Sequence, residues 1–133
     1  PQQETMLEPG ELIVAIEIPA TPAARRSLYR KQRDRASFEF ALTSVAAALD
    51  LEDGTVRDAR IALGGVGTTP WRARDAEKAL IGAAPSSESF EAAATRALAQ
   101  ARPLAHNGFK IALAHAAILR AFQTLVEAEP WQV

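Results

Sequence analysis

The sequence predicts an α+β fold in which a three- to four-stranded antiparallel β-sheet packs against three α-helices, strands first and helices after. Three observations carry this expectation. The first half alternates apolar and polar residues with a period of two, and the second half places apolar residues at spacings of three and four. An Asp53-Gly54 pair, a strong two-residue hairpin signal, sits between two of the alternating segments. Such segregation of strands from helices is the pattern of helices covering one face of an antiparallel sheet. The 133 residues, 48% hydrophobic and 23% charged, suffice for one core, so residues 1–133 are read as a single domain.

Taken in order, Pro9-Gly10 punctuates the start of a first strand, Glu11 to Ile18, with Leu12, Val14, Ile16 and Ile18 on one face and Ile13, Ala15 and Glu17 on the other. Pro19 ends it. The second strand lies in the basic run Arg25 to Arg35, which holds Arg25, Arg26, Arg30, Lys31, Arg33 and Arg35. Alternation puts Tyr29, Lys31, Arg33 and Arg35 on one side and Arg30, Gln32 and Asp34 on the other, leaving this strand no apolar face. The third strand, Ala41 to Leu51, presents Thr43, Val45, Ala47, Leu49 and Leu51 together. After the hairpin, Val56 to Val66 sets Ala59, Ile61 and Leu63 against Val56, Asp58 and Arg60, as in a sheet with one wet face.

Thr69-Pro70 has the residue types of a helix N-cap and first position, predicting a helix that stops near Gly82. The second helix follows Pro85-Ser86-Ser87, with a stripe of Phe90, Ala94, Ala97, Leu98 and Ala101, and Pro103 closes it. The third begins at Asn107-Gly108. Its Phe109 to Val126 run is apolar on most sides, which predicts a central position.

Composition narrows the chemistry. The chain has no cysteine, which excludes a disulfide, a thiolate nucleophile and a cysteine-held zinc or iron–sulfur site within it. Its formal net charge of -1 makes the basic run a local feature and argues against nucleic acid as partner. No apolar run reads as a bilayer span, so membrane insertion is not expected. A start at Pro1 suggests a processed or excised piece.

Gly64-Gly65-Val66-Gly67 fits neither the dinucleotide nor the Walker spacing and reads as a turn where backbones approach closely. His115 has the helical spacing of a residue at the core edge, and His106 is expected at the surface. Neither belongs to a metal-binding or Ser-His-acid arrangement. Trp71 and Trp131 read as packing residues, and Asp75, Glu77 and Lys78 as a solvated helix face. The basic strand keeps two readings: an edge guarded by charge, or the wall of a site for an anionic or electron-rich ligand.

The succession Glu8-Pro9-Gly10-Glu11-Leu12-Ile13-Val14-Ala15-Ile16-Glu17-Ile18-Pro19, then Lys31-Gln32-Arg33-Asp34-Arg35-Ala36-Ser37-Phe38-Glu39-Phe40-Ala41-Leu42, then Leu63-Gly64-Gly65-Val66-Gly67 and Pro70-Trp71-Arg72, resembles the C-terminal domain of the flavoprotein subunit of molybdenum hydroxylases. That group includes the xanthine, carbon monoxide and aldehyde dehydrogenase-type complexes. The likeness extends through Asn107-Gly108-Phe109-Lys110 and the last helix. It implies a domain that shapes a flavin site for electron transfer from iron–sulfur clusters to an external acceptor, with no catalytic base of its own. FAD is the implied cofactor, held mainly by an upstream domain absent from this chain, and the implied flavin-facing residues are Leu12, Ile13 and Lys31. Arg33 and Arg35 are expected to order a loop or contact another subunit.

Molybdopterin and iron–sulfur clusters are implied only on partner subunits, one molybdopterin-binding and one iron–sulfur-binding. The implied compartment is the cytoplasm, or the periplasm in complex with an exported partner. The rival expectation is a non-enzymatic interaction or dimerisation module that uses the basic strand 25–35.

Overall fold

Two strands joined by the Asp53-Gly54 turn form the centre of the computed structural model, which describes residues 5–128. Asp53 and Gly54 both have positive φ, 50° and 74°, the backbone that a two-residue hairpin with native twist requires. The strand before the turn, β2, spans Thr43–Glu52. The strand after it, β3, spans Thr55–Gly64. A further strand, β1 (Ser27–Gln32), pairs with the far side of β2, and the short β4 (Trp71–Arg72) pairs with the end of β3. The sheet is therefore β1-β2-β3-β4, antiparallel throughout.

Alternation sends Val45, Ala47 and Leu49 of β2 and Ala59, Ile61 and Leu63 of β3 to one face, where all six are buried. Helices α1 (Arg74–Leu80), α2 (Ser87–Ala97) and α3 (Phe109–Glu127) cover that face. Helix α3 lies over β1 and β2, α1 lies over β3, and α2 packs on both helices. Small residues at the contacts, among them Ala76, Ala93, Ala94, Ala117 and Ala121, let the backbones approach. Phe90 of α2 stacks on Phe122 of α3 with ring centroids 5.1 Å apart.

The second and third helices start where the sequence predicts them, but α2 ends at Ala97, short of the predicted stripe's Leu98 and Ala101. Ser86 caps α2 in a reciprocal box with Ser89. At 19 residues α3 is long and apolar enough to cross a bilayer. Its Ala117, Ile118, Ala121, Phe122 and Leu125 are instead part of the core.

Three expectations are corrected. Residues 11–18 are exposed and belong to no sheet, since they exchange no ladder hydrogen bonds with any strand among the described residues. The fourth strand is β4 instead. Trp71 and Arg72 pair with Leu63 and Ala62, and the Ala73 N–H donates to the Ile61 carbonyl over 2.9 Å, so the chain at Pro70 continues into the sheet and α1 starts only at Arg74.

The basic strand is also shorter than expected. It ends at Gln32, and Leu28 on its inner side packs against the core, so an apolar contact exists after all.

Arg26 explains part of the basic run. Its Nη1 donates to the Leu125 carbonyl over 2.6 Å and also reaches the carbonyls of Val126 and Ala128, at the end of α3. Carbonyls in the last turn of a helix lack a partner within it and carry its negative end, so a fixed cation there is favourable. Replacing Arg26 by alanine is expected to cost about 1–2 kcal/mol, seen as a lower urea midpoint with unchanged slope. An unaltered midpoint would contradict this capping role.

Candidate functional site

With the helices on one face, the other face of the sheet is left open. Its floor is Ala46 and Ala48 of β2 and Ala62 of β3, bordered by Tyr29 on one side and by Arg60 and Arg72 on the other, in a shallow trough of about 720 Å³. Tyr29 and Lys31 share this side of β1, and in the strand register Lys31 stands opposite Ser44, which in turn faces Gly64. The trough had a signal in the sequence: Ala46, Ala48 and Ala62 fall between the buried positions of their strands.

The cations of the basic run now separate. Arg26 holds the end of α3. Arg33 donates to the Ser37 carbonyl over 2.6 Å, and Arg35 donates its backbone N–H to Glu39 Oε1 over 3.2 Å and pairs its Nε with Glu39 Oε2 at 3.6 Å. These two arginines order the loop 33–42, which closes where the Leu42 N–H donates to the Gln32 carbonyl. Phe38 and Phe40 on this loop are fully exposed. Arg30 stands across from Val45 on the inner side, its stem against the core edge. Lys31 differs: it is the half-buried cation on the open face, with no ion pair among the described residues.

The two other predicted positions lie elsewhere. Leu12 and Ile13 are on the exposed arm before Pro19, in no strand or helix, 84% and 67% exposed. The structure therefore sets the three candidates on two elements, and does not pack them into one cluster.

The glycine loop behaves as a close-packed turn. A Cβ on Gly64 would come within 2.4 Å of Ser44 Oγ, and one on Gly65, at φ +71°, within 3.0 Å of the Leu42 carbonyl oxygen. Lys110 of α3 anchors the loop by donating from Nζ to the Gly65 carbonyl over 3.0 Å. This fixes the end of β3 next to the start of β2, beside Lys31.

Glu77 corrects the sequence reading of a solvated face. It is 5% exposed, while its neighbours Asp75 and Lys78 do stay in solvent, 3.6 Å apart. Glu77 Oε1 accepts the Ile61 N–H over 2.8 Å and also the Arg72 Nε, while Oε2 accepts Arg72 Nη2 over 3.1 Å. Since β4 is too short to satisfy Ile61, a helix carboxylate takes the place of a strand carbonyl. The hydrogen bond to Glu77 raises the Arg72 pKa above its ordinary value, against the partial burial that lowers it.

The histidines lie apart from this face, and Trp71, paired with Leu63, is on the helix-covered side. His115 is half-buried on α3 with Nε2 3.4 Å from the Glu91 carboxylate of α2, and His106 is exposed. Trp71 is half-exposed on β4, and Trp131 lies outside the described residues.

Comparison with known proteins places this geometry. The chain is 46% identical over 114 residues to the aldehyde oxidoreductase FAD-binding subunit PaoB of Escherichia coli (strain K12), an alignment that takes in 86% of this chain and 32% of that one. It is 34% identical over 94 residues to the glyceraldehyde dehydrogenase medium chain of Sulfolobus acidocaldarius, covering 71% of this chain and 33% of the other.

A solved structure of reconstituted CO dehydrogenase from Oligotropha carboxidovorans superposes with a TM-score of 0.78 at 29% identity, over 93% of this chain and 45% of its counterpart. The chain thus spans about a third of the length of the curated relatives it matches. Residues 27–125, from the first residue of β1 to the last turn of α3, match the CO dehydrogenase flavoprotein C-terminal domain, and the chain belongs to that family.

Proposed function

We propose that this chain is the flavin-facing C-terminal domain of the FAD-binding subunit of a molybdenum-containing oxidoreductase of the aldehyde or carbon monoxide dehydrogenase type. The single observation that carries the reading is Lys31: a half-buried cation on a helix-free face, left without an anion by a run whose Arg26, Arg33 and Arg35 are tied within the chain. The relatives, named as FAD-binding or medium chains of such enzymes, supply the cofactor class. Because Arg26, Arg33 and Arg35 have internal partners, a module that grips an acidic partner through strand 25–35 is the weaker reading.

The residues fit a flavin. Leu12 and Ile13 offer exposed aliphatic surface that can lie on a flat ring and keep water from it. The Lys31 ammonium favours negative charge near the ring, and so its reduced form. Ser44, opposite Lys31 in the register, fits against β3 because Gly64 across from it has no side chain. When bound, FAD would supply the redox chemistry that links the iron–sulfur clusters to an external acceptor. This chain contributes position, charge and shielding, and no proton-transfer group. Molybdopterin and the clusters belong, in this reading, to a molybdopterin-binding subunit and an iron–sulfur subunit.

The test is cofactor retention. The full-length subunit containing this chain is expected to purify with close to one FAD, and the 133-residue chain alone with little or none, measured by flavin absorbance after release. Stoichiometric flavin on the isolated chain would contradict the assignment of most FAD contacts to the rest of the subunit.

A further inference from the structure

From the exposed arm at residues 11–18, and resting on the proposed function above, we infer that these residues are a β-strand that adds to the edge of a sheet in the rest of the FAD-binding subunit. The arm carries the chemistry of a strand without a sheet. Leu12, Val14, Ile16 and Ile18 alternate with Ile13 and Ala15, all of them exposed. A turn sets its start, with Gly10 at φ 93°, the Glu11 N–H on the Glu8 carbonyl at 3.0 Å and the Glu8 N–H on the Glu11 carboxylate at 2.8 Å. Pro19, which lacks an N–H, ends it.

Between these limits no backbone group of residues 12–18 has a hydrogen-bond partner among the described residues. An unpaired row of donors and acceptors with aliphatic side chains is the element that strand addition uses. One face is apolar along its length, and the other has Ile13 and Ala15 between Glu11 and Glu17. The strand is therefore covered on both faces at its middle and open on one face at its ends.

The occupant follows from the extent of the matches. The family match begins at Ser27, after the arm, and the arm has no place in the sheet β1-β2-β3-β4. Yet the superposition on CO dehydrogenase takes in 93% of this chain, more than residues 27–133 could supply, so chain before Ser27 has a counterpart there. That counterpart belongs to a chain of which this one covers 45%. The remainder of such a chain is what the arm meets. Docked, the strand would fix Leu12 and Ile13 in a defined place relative to Lys31, which the body of the domain does not do by itself.

Hydrogen exchange read by mass spectrometry on the full-length subunit tests this, with FAD content measured on the same sample. Amides 12–18 are expected to exchange ~100-fold or more slowly than in an unstructured peptide of the same sequence. Of the variants Val14→Pro and Ala15→Pro, one removes a paired amide whichever the register, and is expected to speed exchange of the arm ~10-fold or more while β2 and β3 stay protected.

Exchange at the peptide rate, or no response to either proline, would overturn the inference. So would protection that disappears on dilution, which would make a second copy the occupant. A protected arm in a subunit without FAD would sink the flavin reading alone. A freely exchanging arm in a subunit with FAD would sink the strand alone.

Discussion

Replacing Glu77 by alanine is expected to lower the stability of this domain by about 3–5 kcal/mol, well beyond the loss expected at Arg26. Three losses combine. The Ile61 N–H, on a residue with no exposed surface, loses the carboxylate that accepts it at 2.8 Å. The Arg72 guanidinium loses both of its contacts, although its partial exposure lets water replace some of them. A cavity remains between α1 and the sheet edge.

Glu77→Gln keeps an acceptor for Ile61 and removes the charge, so it should fall between wild type and alanine. The check is urea denaturation of the three proteins followed by far-ultraviolet circular dichroism. Equal midpoints for alanine and wild type would mean that the carboxylate does not close the edge of β3.

The same residue shows why some of the structure was not legible in the sequence. Glu77 sits between Asp75 and Lys78, and local charge pattern gives all three a solvated face. Its burial is set by β4 being two residues long, which leaves Ile61 unpaired across the helix–sheet gap. Such a deficit belongs to tertiary structure. By contrast β2, β3 and their turn were legible from Asp53-Gly54 and the odd-numbered apolar positions, but the bulge at Asp50–Leu51 that joins their two registers was not, and it buries Val56, which strict alternation sets on the wet face. The starts of α2 and α3 were legible too, at Ser86 and at the apolar run after Gly108, whereas the Phe90 stripe continues to Ala101, past the end of α2 at Ala97.

The two misplaced elements share one cause. Residues 11–18 have strand alternation as good as that of β2, and Thr69-Pro70 has good helix-start chemistry, but whether a strand forms depends on which edge the chain brings a segment to. In this chain the edge of β3 is taken by Trp71 and Arg72, and the arm pairs with neither outer strand of the sheet. At the candidate site, spacing alone identified Lys31 as standing on an unusual strand. It could not tell that Arg26, Arg33 and Arg35 would be consumed by helix capping and loop closure, because those contacts span up to 102 positions or depend on a loop fold.

Lys31→Met is the second change with a large expected effect, and it bears on function. The substitution keeps the length of the side chain and its packing while deleting the charge. A unit charge a few ångströms from the ring, at the effective dielectric of a partly buried site, is worth ~2–4 kcal/mol to an added electron, roughly 90–170 mV. Fold stability should hardly change, since Lys31 makes no ion pair among the described residues. Flavin content should stay near that of the wild type, because most cofactor contacts are assigned elsewhere in the subunit.

The most direct measurement is a spectroelectrochemical titration of the FAD in the intact complex, comparing wild type with Lys31→Met. A flavin potential lower by roughly 90–170 mV, with FAD content unchanged, is the result predicted by a lysine placed to favour the reduced ring. A potential and a flavin-to-acceptor rate identical to wild type would contradict it, and would return Lys31 to the role of a charge guarding a strand edge.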